Sequence, residues 1–382
     1  MQTLHVDYPA EKISRSKAHI EAHRPGRPVQ GDRVPVNFCL VPRFFAPIFD
    51  IDYEEIYRDA KTQFHWLLQF AKYQLENIPC DMLTEPVITI APFFDNVTTS
   101  SAFGCEVMWL RNETAHAMPC IHDVADIERF ELPSIENSVV GKCIRWWLEM
   151  KELARDVRVD FAGTPGEVNV GGLNLNILGP HSVAVDMCGD DLYWWMLEYP
   201  EMYRMLMSKV VKGMMILEDA SRAIDTRPRG GFGVAEDAAA VLSEEHFIKH
   251  VAPYDLMLFG RYADPVQDAR GMHMCGNTAH LLGALADVLK ITGFNLFGYQ
   301  TPLDKVADIM GGRVSLWGNI NPMMMLDGTR GQVREACLDV LARLAPYGGL
   351  MLGDGANICP GTPLENIAAV AAAAEEYAGL VK

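Results

Sequence analysis

Gly271-Met272-His273-Met274-Cys275-Gly276-Asn277-Thr278 reads as the end of a buried strand running into a helix N-terminus. Ala269 to Met274 is short and largely apolar, and Gly276-Asn277-Thr278 supplies turn and cap residues. His280 to Ile291 then carries leucines and alanines at helical spacing. Alternate residues of an extended chain face the same way. His273 and Cys275 are therefore expected to share one face, with Met272 and Met274 turned to the other. A thiol just ahead of a helix N-terminus is biased towards thiolate by the dipole and the free N–H groups. An imidazole and a thiolate on one face suit a soft divalent metal, zinc first.

Working outward, the same strand-then-helix unit recurs. Strands are expected at Val34 to Cys39, Val87 to Phe94, Val157 to Ala162, Gly230 to Ala235, Ala269 to Met274, Gly293 to Phe297, Val314 to Trp317 and Gly349 to Leu352. Helical stretches fall between many of them: Tyr53 to Glu76, Val139 to Arg155, and Asp190 to Asp219 with an interruption near Pro200. Ser243-Glu244-Glu245 reads as a helix start, and an alanine-rich last helix spans Ile367 to Tyr377. Eight such units in one chain predict an α/β fold, a (β/α)8 TIM barrel rather than an open doubly wound sheet. Residues 1–31 read as an N-terminal arm with a short helix over Ser14 to His23, closed by Arg24-Pro25-Gly26-Arg27-Pro28. Residues 32–382 then form the single barrel domain. No Gly-x-Gly-x-x-Gly follows a strand and no Gly-Lys-Ser/Thr loop is present, which disfavours a nucleotide fold.

Composition narrows the function. The 382 residues carry 50 acidic against 33 basic side chains, net −17, which opposes nucleic acid or an anionic membrane as the main partner. Met1 to Asp7 has no signal-peptide character, and no apolar run is long enough to span a bilayer. Nine cysteines without regular spacing point to a reducing, cytoplasmic setting. Cys39, Cys80, Cys105, Cys120, Cys143, Cys188 and Cys337 are expected to be small packing residues. Trp194, Trp195, Met196, Met205 and Met207 are expected to be core. A homodimer is compatible with the chain.

In a barrel of this kind chemistry gathers at the C-terminal ends of the strands. Those ends offer Asn37 and Cys39, Asp95 and Asn96, Glu236 and Asp237, His273 and Cys275. Later strands add Tyr299, Asn319 and Asn321, and the last loop adds Asp354, Asn357 and Cys359. A closed barrel brings Cys359 round beside His273 and Cys275, and three ligands with an open fourth position make a catalytic zinc site. Glu236 is expected to complete the zinc shell or shuttle a proton, with Asp95 as the second carboxylate of interest. Asp354 and Asn319 are expected to orient ligands. Asn277, Asn319 and His181, the last on a loop after strand three, are assigned to the cofactor side. Phe44, Phe45, Phe93, Phe94 and Trp109 are expected to wall a pocket for an aryl ether. The Met323-Met324-Met325 triplet is set beside the rim, either packed inside or against a partner.

These residues carry a resemblance. His273-Met274-Cys275-Gly276-Asn277-Thr278 resembles the zinc-binding His-x-Cys-Gly-Asn element of the uroporphyrinogen decarboxylase superfamily, in the branch of cobalamin-dependent methyltransferases. Gly353-Asp354-Gly355 through Cys359-Pro360-Gly361-Thr362-Pro363-Leu364-Glu365-Asn366 is similar to the last loop and helix of that branch, second zinc cysteine included. Trp317-Gly318-Asn319-Ile320-Asn321-Pro322 and Val234-Ala235-Glu236-Asp237 are similar to its strand-seven and strand-four ends. The likeness is strong from about residue 230 onward and loose before that. Decarboxylases proper carry an arginine in a Pro-Val-Trp-Phe-Met-Arg-Gln element. Here Pro35-Val36-Asn37-Phe38-Cys39-Leu40 puts leucine at that place, and porphyrinogen decarboxylation becomes the weaker reading. The resemblance implies Zn2+ in the chain, a corrinoid (cobalamin) carried by a partner protein, and methyl transfer to or from its cobalt. The small substrate is either an O-methyl donor, the favoured reading, or a coenzyme-M-like thiol. A zinc- or corrinoid-holding protein without turnover is the non-enzymatic alternative.

Overall fold

The computed structural model describes residues 2–27, 33–131 and 134–381. In chain order the strands are β1 (Gln2–Val6), β2 (Val87–Ile90), β3 (Glu106–Met108), β4 (His116–Met118), β5 (Val157–Phe161) and β6 (Thr164–Val170). They continue as β7 (Gly231–Ala235), β8 (Ala269–His273), β9 (Gly293–Asn295), β10 (Ser315–Ile320) and β11 (Leu350–Asp354). Each of the last five is a short apolar run ahead of a helical stretch, the pattern that makes parallel sheets with helices outside. They form one sheet in the order β11-β10-β9-β8-β7, all parallel. Its register sets Ala235 beside His273, His273 beside Asn295, and Ile320 beside Asp354.

Two isolated parallel bridges extend this sheet at both edges. Val36 pairs with Leu352, and Leu178 pairs with Ala235. The Val34–Cys39 segment thus lies along β11, and the extended run after β6 lies along β7. With β2 parallel to β6, the eight strand positions of the α/β TIM barrel are accounted for. The core is continuous from Val36 and Ile88 through Met272, Phe294 and Leu352, all nearly inaccessible. Burial of each such side chain contributes about 1.5–3 kcal/mol.

The front half departs from expectation in three ways. The third barrel strand is not Val157 to Ala162. That run is β5, which forms an antiparallel hairpin with β6 and pairs on its other edge with β1. The barrel position belongs to β6 and its continuation to Leu178, whose Gly171-Gly172-Leu173-Asn174-Leu175-Asn176 stretch lacks β-branched residues and so hid its strand character. The arm contains β1, a strand the sequence did not announce, followed by a helix over Ala10–Ala22. The boundary at residues 31 and 32, and Pro28, lie outside the described residues. Third, the expected helix over Tyr53 to Glu76 splits into a 3-10 turn, Tyr53–Tyr57, and a helix, Ala60–Asn77, capped by Asp59 accepting from the Thr62 amide at 2.7 Å.

Elsewhere Val139–Arg155 is helical as expected, Pro200 opens the helix Pro200–Ile224, and Ser243 caps Glu244–His246. Trp195, Met196 and Met207 are buried, but Trp194 and Met205 face solvent. No described helix is long and apolar enough to cross a membrane.

Candidate functional site

The alternation expected at the end of β8 is present. Met272 and Met274 are 1% and 0% exposed, while His273 and Cys275 are half-buried and face the other way. One rung beyond the Ala235–His273 pair, the chain leaving β7 brings Asp237 alongside. The ligand atoms of Asp237, His273 and Cys275 all lie within 4.8 Å of one another. Among the described residues this is the only group of three such side chains close enough to hold a metal ion.

Local bonding aims the donors. His273 Nδ1 lies 3.0 Å from the Asn295 carbonyl of the neighbouring strand, so Nδ1 carries the proton and the neutral ring presents the Nε2 lone pair to the site. Nε2 is 3.4 Å from the Asp237 carboxylate, whose other oxygen accepts the Cys275 amide at 2.7 Å. Burial opposes a charge on His273, but Asp237 and Cys275 outweigh it and push the imidazole up to about 10. Burial likewise opposes ionisation of Asp237, and hydrogen bonding to His273 and the Cys275 amide overcomes it, holding the carboxyl below its usual range. A cation taking this place therefore displaces a proton. Gly298 packs against the backbone of this loop: at φ +69° its missing Cβ would lie 2.1 Å from the Gly276 carbonyl.

The helix after this loop starts later than the sequence indicated. Helical residues begin at 282 and pass into a wide π turn, Ala284–Leu289. A helix dipole acts within its first turn and so does not reach Cys275. Asn277 is exposed and caps the turn by accepting the Ala279 amide at 3.2 Å.

Cys359 stands outside this cluster. Its sulfur is 4.0 Å from Met323 Sδ, and burial raises its pKa. Its loop is fastened to the first strand segment, with the Cys39 thiol donating to Asn357 at 3.0 Å. Met325 is buried and Met323 half-exposed. At the end of β11, Asp354 is fully buried; one oxygen accepts the Cys39 amide at 2.9 Å and the other has no hydrogen-bond partner among the described residues. Burial pushes this carboxyl up to about 7. Asn319 is buried, donating to the Gly298 carbonyl at 3.3 Å.

Glu236 points the opposite way from Asp237. It is inaccessible and accepts the His181 and Ser182 amides, both at 2.9 Å, and the Ser182 hydroxyl at 2.8 Å. These are the first donors of the helix Pro180–Cys188. Buried Asp255 lies next to it, and burial drives both carboxyls above their usual range. His181, expected on a loop, is the second residue of that helix and fully buried between Tyr193 and Tyr203; burial lowers its pKa to about 4. Asp95, buried at φ +47°, accepts the Tyr53 and Tyr57 hydroxyls and the Ala115 amide.

Of the expected aromatic wall, three rings are core, while Phe93 is half-buried and Trp109 exposed. Phe44, Phe45 and Phe94 are 1–2% exposed, and Phe94 and Trp109 lie against the Lys142 ammonium at 5.3 and 5.6 Å. Asp237 is the residue the sequence reading undervalued. It lies two residues past Ala235, as Cys275 lies two residues past His273, and the pairing of Ala235 with His273 brings the two together. The role of the Asn295 carbonyl had no side-chain signal at all.

Residues 85–377 match the family described as Uroporphyrinogen decarboxylase (URO-D). The chain belongs to that family. Among its relatives, a methylcobamide:CoM methyltransferase (MtaA) of Methanosarcina barkeri is 31% identical over 122 residues, 31% of this chain and 33% of the relative. The match thus spans about a third of that relative's length. A uroporphyrinogen decarboxylase of Alkalilimnicola ehrlichii is 24% identical over 82% of this chain and 84% of its own. In structure, a methyltransferase from Methanosarcina mazei superposes with a TM-score of 0.64 at 17% identity, covering 96% of this chain and 97% of that one, which establishes the fold.

Proposed function

We propose that this URO-D family protein is a methyltransferase that moves a methyl group between the corrinoid of a partner protein and a small thiol, with a zinc ion held at the β7–β8 rim. The observation that carries the reading is the convergence of Asp237, His273 and Cys275. The donor set fits zinc: an imidazole with its tautomer fixed by a backbone carbonyl, a thiol, and a carboxylate. Zinc held by these residues would supply Lewis acidity towards a small thiol at neutral pH.

The chain's own residues have separate tasks. His273 Nε2, Cys275 Sγ and the Asp237 carboxylate would hold the ion, Asp237 also accepts the Cys275 amide and so fixes its loop, and Gly298 admits that loop. Cys359, on the loop after β11, would be the further sulfur ligand that the motif implies, once its sulfur turns from Met323. Glu236 supports the rim from behind by fixing the helix Pro180–Cys188. The relative that acts between methylcobamide and CoM supports the thiol acceptor. The alternative O-methyl donor has less to favour it, because Phe44, Phe45 and Phe94 are packed in the core and Trp109 lies against Lys142. Protein loaded with zinc is expected to demethylate methylcob(III)alamin in the presence of 2-mercaptoethanesulfonate, followed by absorbance. The reading is wrong if thiols have no effect while methanol or methoxybenzenes methylate cob(I)alamin, or if neither reaction occurs.

A further inference from the structure

Away from the β7–β8 rim, three cysteines meet at the base of the β3–β4 hairpin. Cys105 immediately precedes β3, and Cys120 follows β4 by two residues. The antiparallel register pairs Glu106 with Met118, which sets Cys105 opposite Pro119 and next to Cys120. Their sulfurs are 3.9 Å apart, in contact but unbonded. Both sulfurs also touch carbonyl oxygens, Cys105 that of Asp186 at 3.6 Å and Cys120 that of Phe103 at 3.5 Å. Cys188, the last residue of the helix Pro180–Cys188, is buried close by.

We propose that Cys105 and Cys120 are a reversible dithiol–disulfide pair, oxidised by a hydroperoxide, whose bond fastens the base of the β3–β4 hairpin. The two thiols differ as such a pair requires. Cys120 is half-buried and reachable, whereas Cys105 is 4% exposed. The Cys105 thiol beside it holds Cys120 below the ordinary thiol range against the effect of burial. Cys120 thiolate attacks the peroxide: the O–O bond breaks, an S–O bond forms, and hydroxide leaves to become water. Cys105 sulfur then attacks Cys120 sulfur, the S–O bond breaks, and a second water departs with the Cys105 proton. The sum is two thiols and hydrogen peroxide giving one disulfide and two waters, with two electrons passing from sulfur to peroxide. By contrast Cys80, Cys143 and Cys337 are buried thiols pushed up to about 12, the inert role expected of them.

The hairpin has a place in the rim. In its connecting turn Asn112 accepts the Tyr53 amide at 3.2 Å, and Glu113 pairs with Arg43 at 2.7 Å. Asn112, Arg43, Tyr53 and Pro360 line one cavity of about 640 Å3, beside the Cys359 loop. A bond at the hairpin base would hold one wall of that cavity in position.

The test is thiol titration of the full chain with peptide mapping, before and after one equivalent of hydrogen peroxide. The nine free thiols are expected to fall by two, with Cys105 and Cys120 found in one cross-linked peptide and dithiothreitol restoring both. Cys188→Ser is expected to keep the cross-link, and Cys105→Ala to abolish it and leave Cys120 as a sulfenic or sulfinic acid. An unchanged thiol count, a bond joining Cys120 to Cys188, or the same thiol loss in Cys105→Ala overturns the proposal. The measurement reads sulfur alone, so it succeeds or fails independently of methyl transfer.

Discussion

The two halves of this barrel are built differently. From β7 onward five strands run parallel in one sheet, joined by helical crossovers. Before β7 the barrel positions are held by the short β2–β6 ladder, isolated bridges and side-chain bonds, and the chain spends its extra length on the β5–β6 hairpin, the β3–β4 hairpin and the N-terminal strand. The metal-type cluster lies wholly in the regular half. A rigid sheet fixes Asp237, His273 and Cys275 relative to one another because His273 stands on a rung paired with Ala235 and with Asn295, and Asp237 and Cys275 each lie two residues past that rung. The irregular half instead binds its elements by specific polar contacts, such as Asp95 with two tyrosines, and presents surfaces that can be altered. Positional accuracy and adaptability are thus separated along the chain.

The strongest test of that separation is removal of a donor from the regular half. His273→Ala or Cys275→Ser is expected to lower zinc affinity by more than about 100-fold and to abolish methyl transfer while the protein stays folded. Asp237→Asn, which keeps an acceptor for the Cys275 amide, is expected to cost about 10–100-fold. Metal analysis after dialysis and circular dichroism decide the matter. Retention of stoichiometric zinc by Cys275→Ser would place the site elsewhere. The same measurement on Cys359→Ser asks whether the β11 rim contributes at all; if it does, zinc affinity falls comparably.

Next in size is a matched pair of glycines. Gly298→Ala drives a methyl group to 2.1 Å from the Gly276 carbonyl and is expected to destabilise the protein by about 2–3 kcal/mol, with loss of zinc. Gly163, at φ +97° in the β5–β6 turn, has nothing within 4 Å of such a methyl. Its alanine variant should cost only the left-handed backbone strain, about 1–2 kcal/mol, and leave zinc binding intact. Equal losses in urea unfolding would mean that the halves are equally tolerant.

The smallest effect is expected at the seam between the halves, where Asp354 accepts the Cys39 amide. Its folded pKa of about 7 lies above the unfolded value of about 4, so the native state holds a proton that the unfolded chain releases. This contribution to stability is greatest below pH 4, declines as the pH rises to about 7, and is flat beyond. Asp354→Asn, which retains the acceptor and removes the ionisation, should therefore flatten that decline. At pH 8 it should stabilise the protein relative to wild type by about 1–2 kcal/mol. A variant whose stability falls with pH in parallel with the wild type would contradict the assignment.

The same contrast governs what could be read from the chain. The strands from Gly231 to Asp354 announced themselves because each is a brief apolar run bounded by turn residues, and the alternation of Met272, His273, Met274 and Cys275 carries their facing in the sequence. The third strand did not, because Leu173-Asn174-Leu175-Asn176 borrows bonds from Thr99, which accepts the Ile177 amide at 3.0 Å. No local pattern encodes a partner 78 residues away. Phe44, Phe45 and Phe94 suit a pocket or a core equally well by composition, and only packing chose the core.

The sequence by itself determined the α/β barrel class, the His-x-Cys pair and its common face, since period and residue chemistry are local properties. The tertiary structure decided that Asp237 joins them, that Cys359 turns towards Met323, that Glu236 braces a helix, and that two thiols 15 residues apart touch. Those outcomes depend on which rung of one strand stands beside which rung of the next, and register is set by the whole closed sheet rather than by any stretch within it.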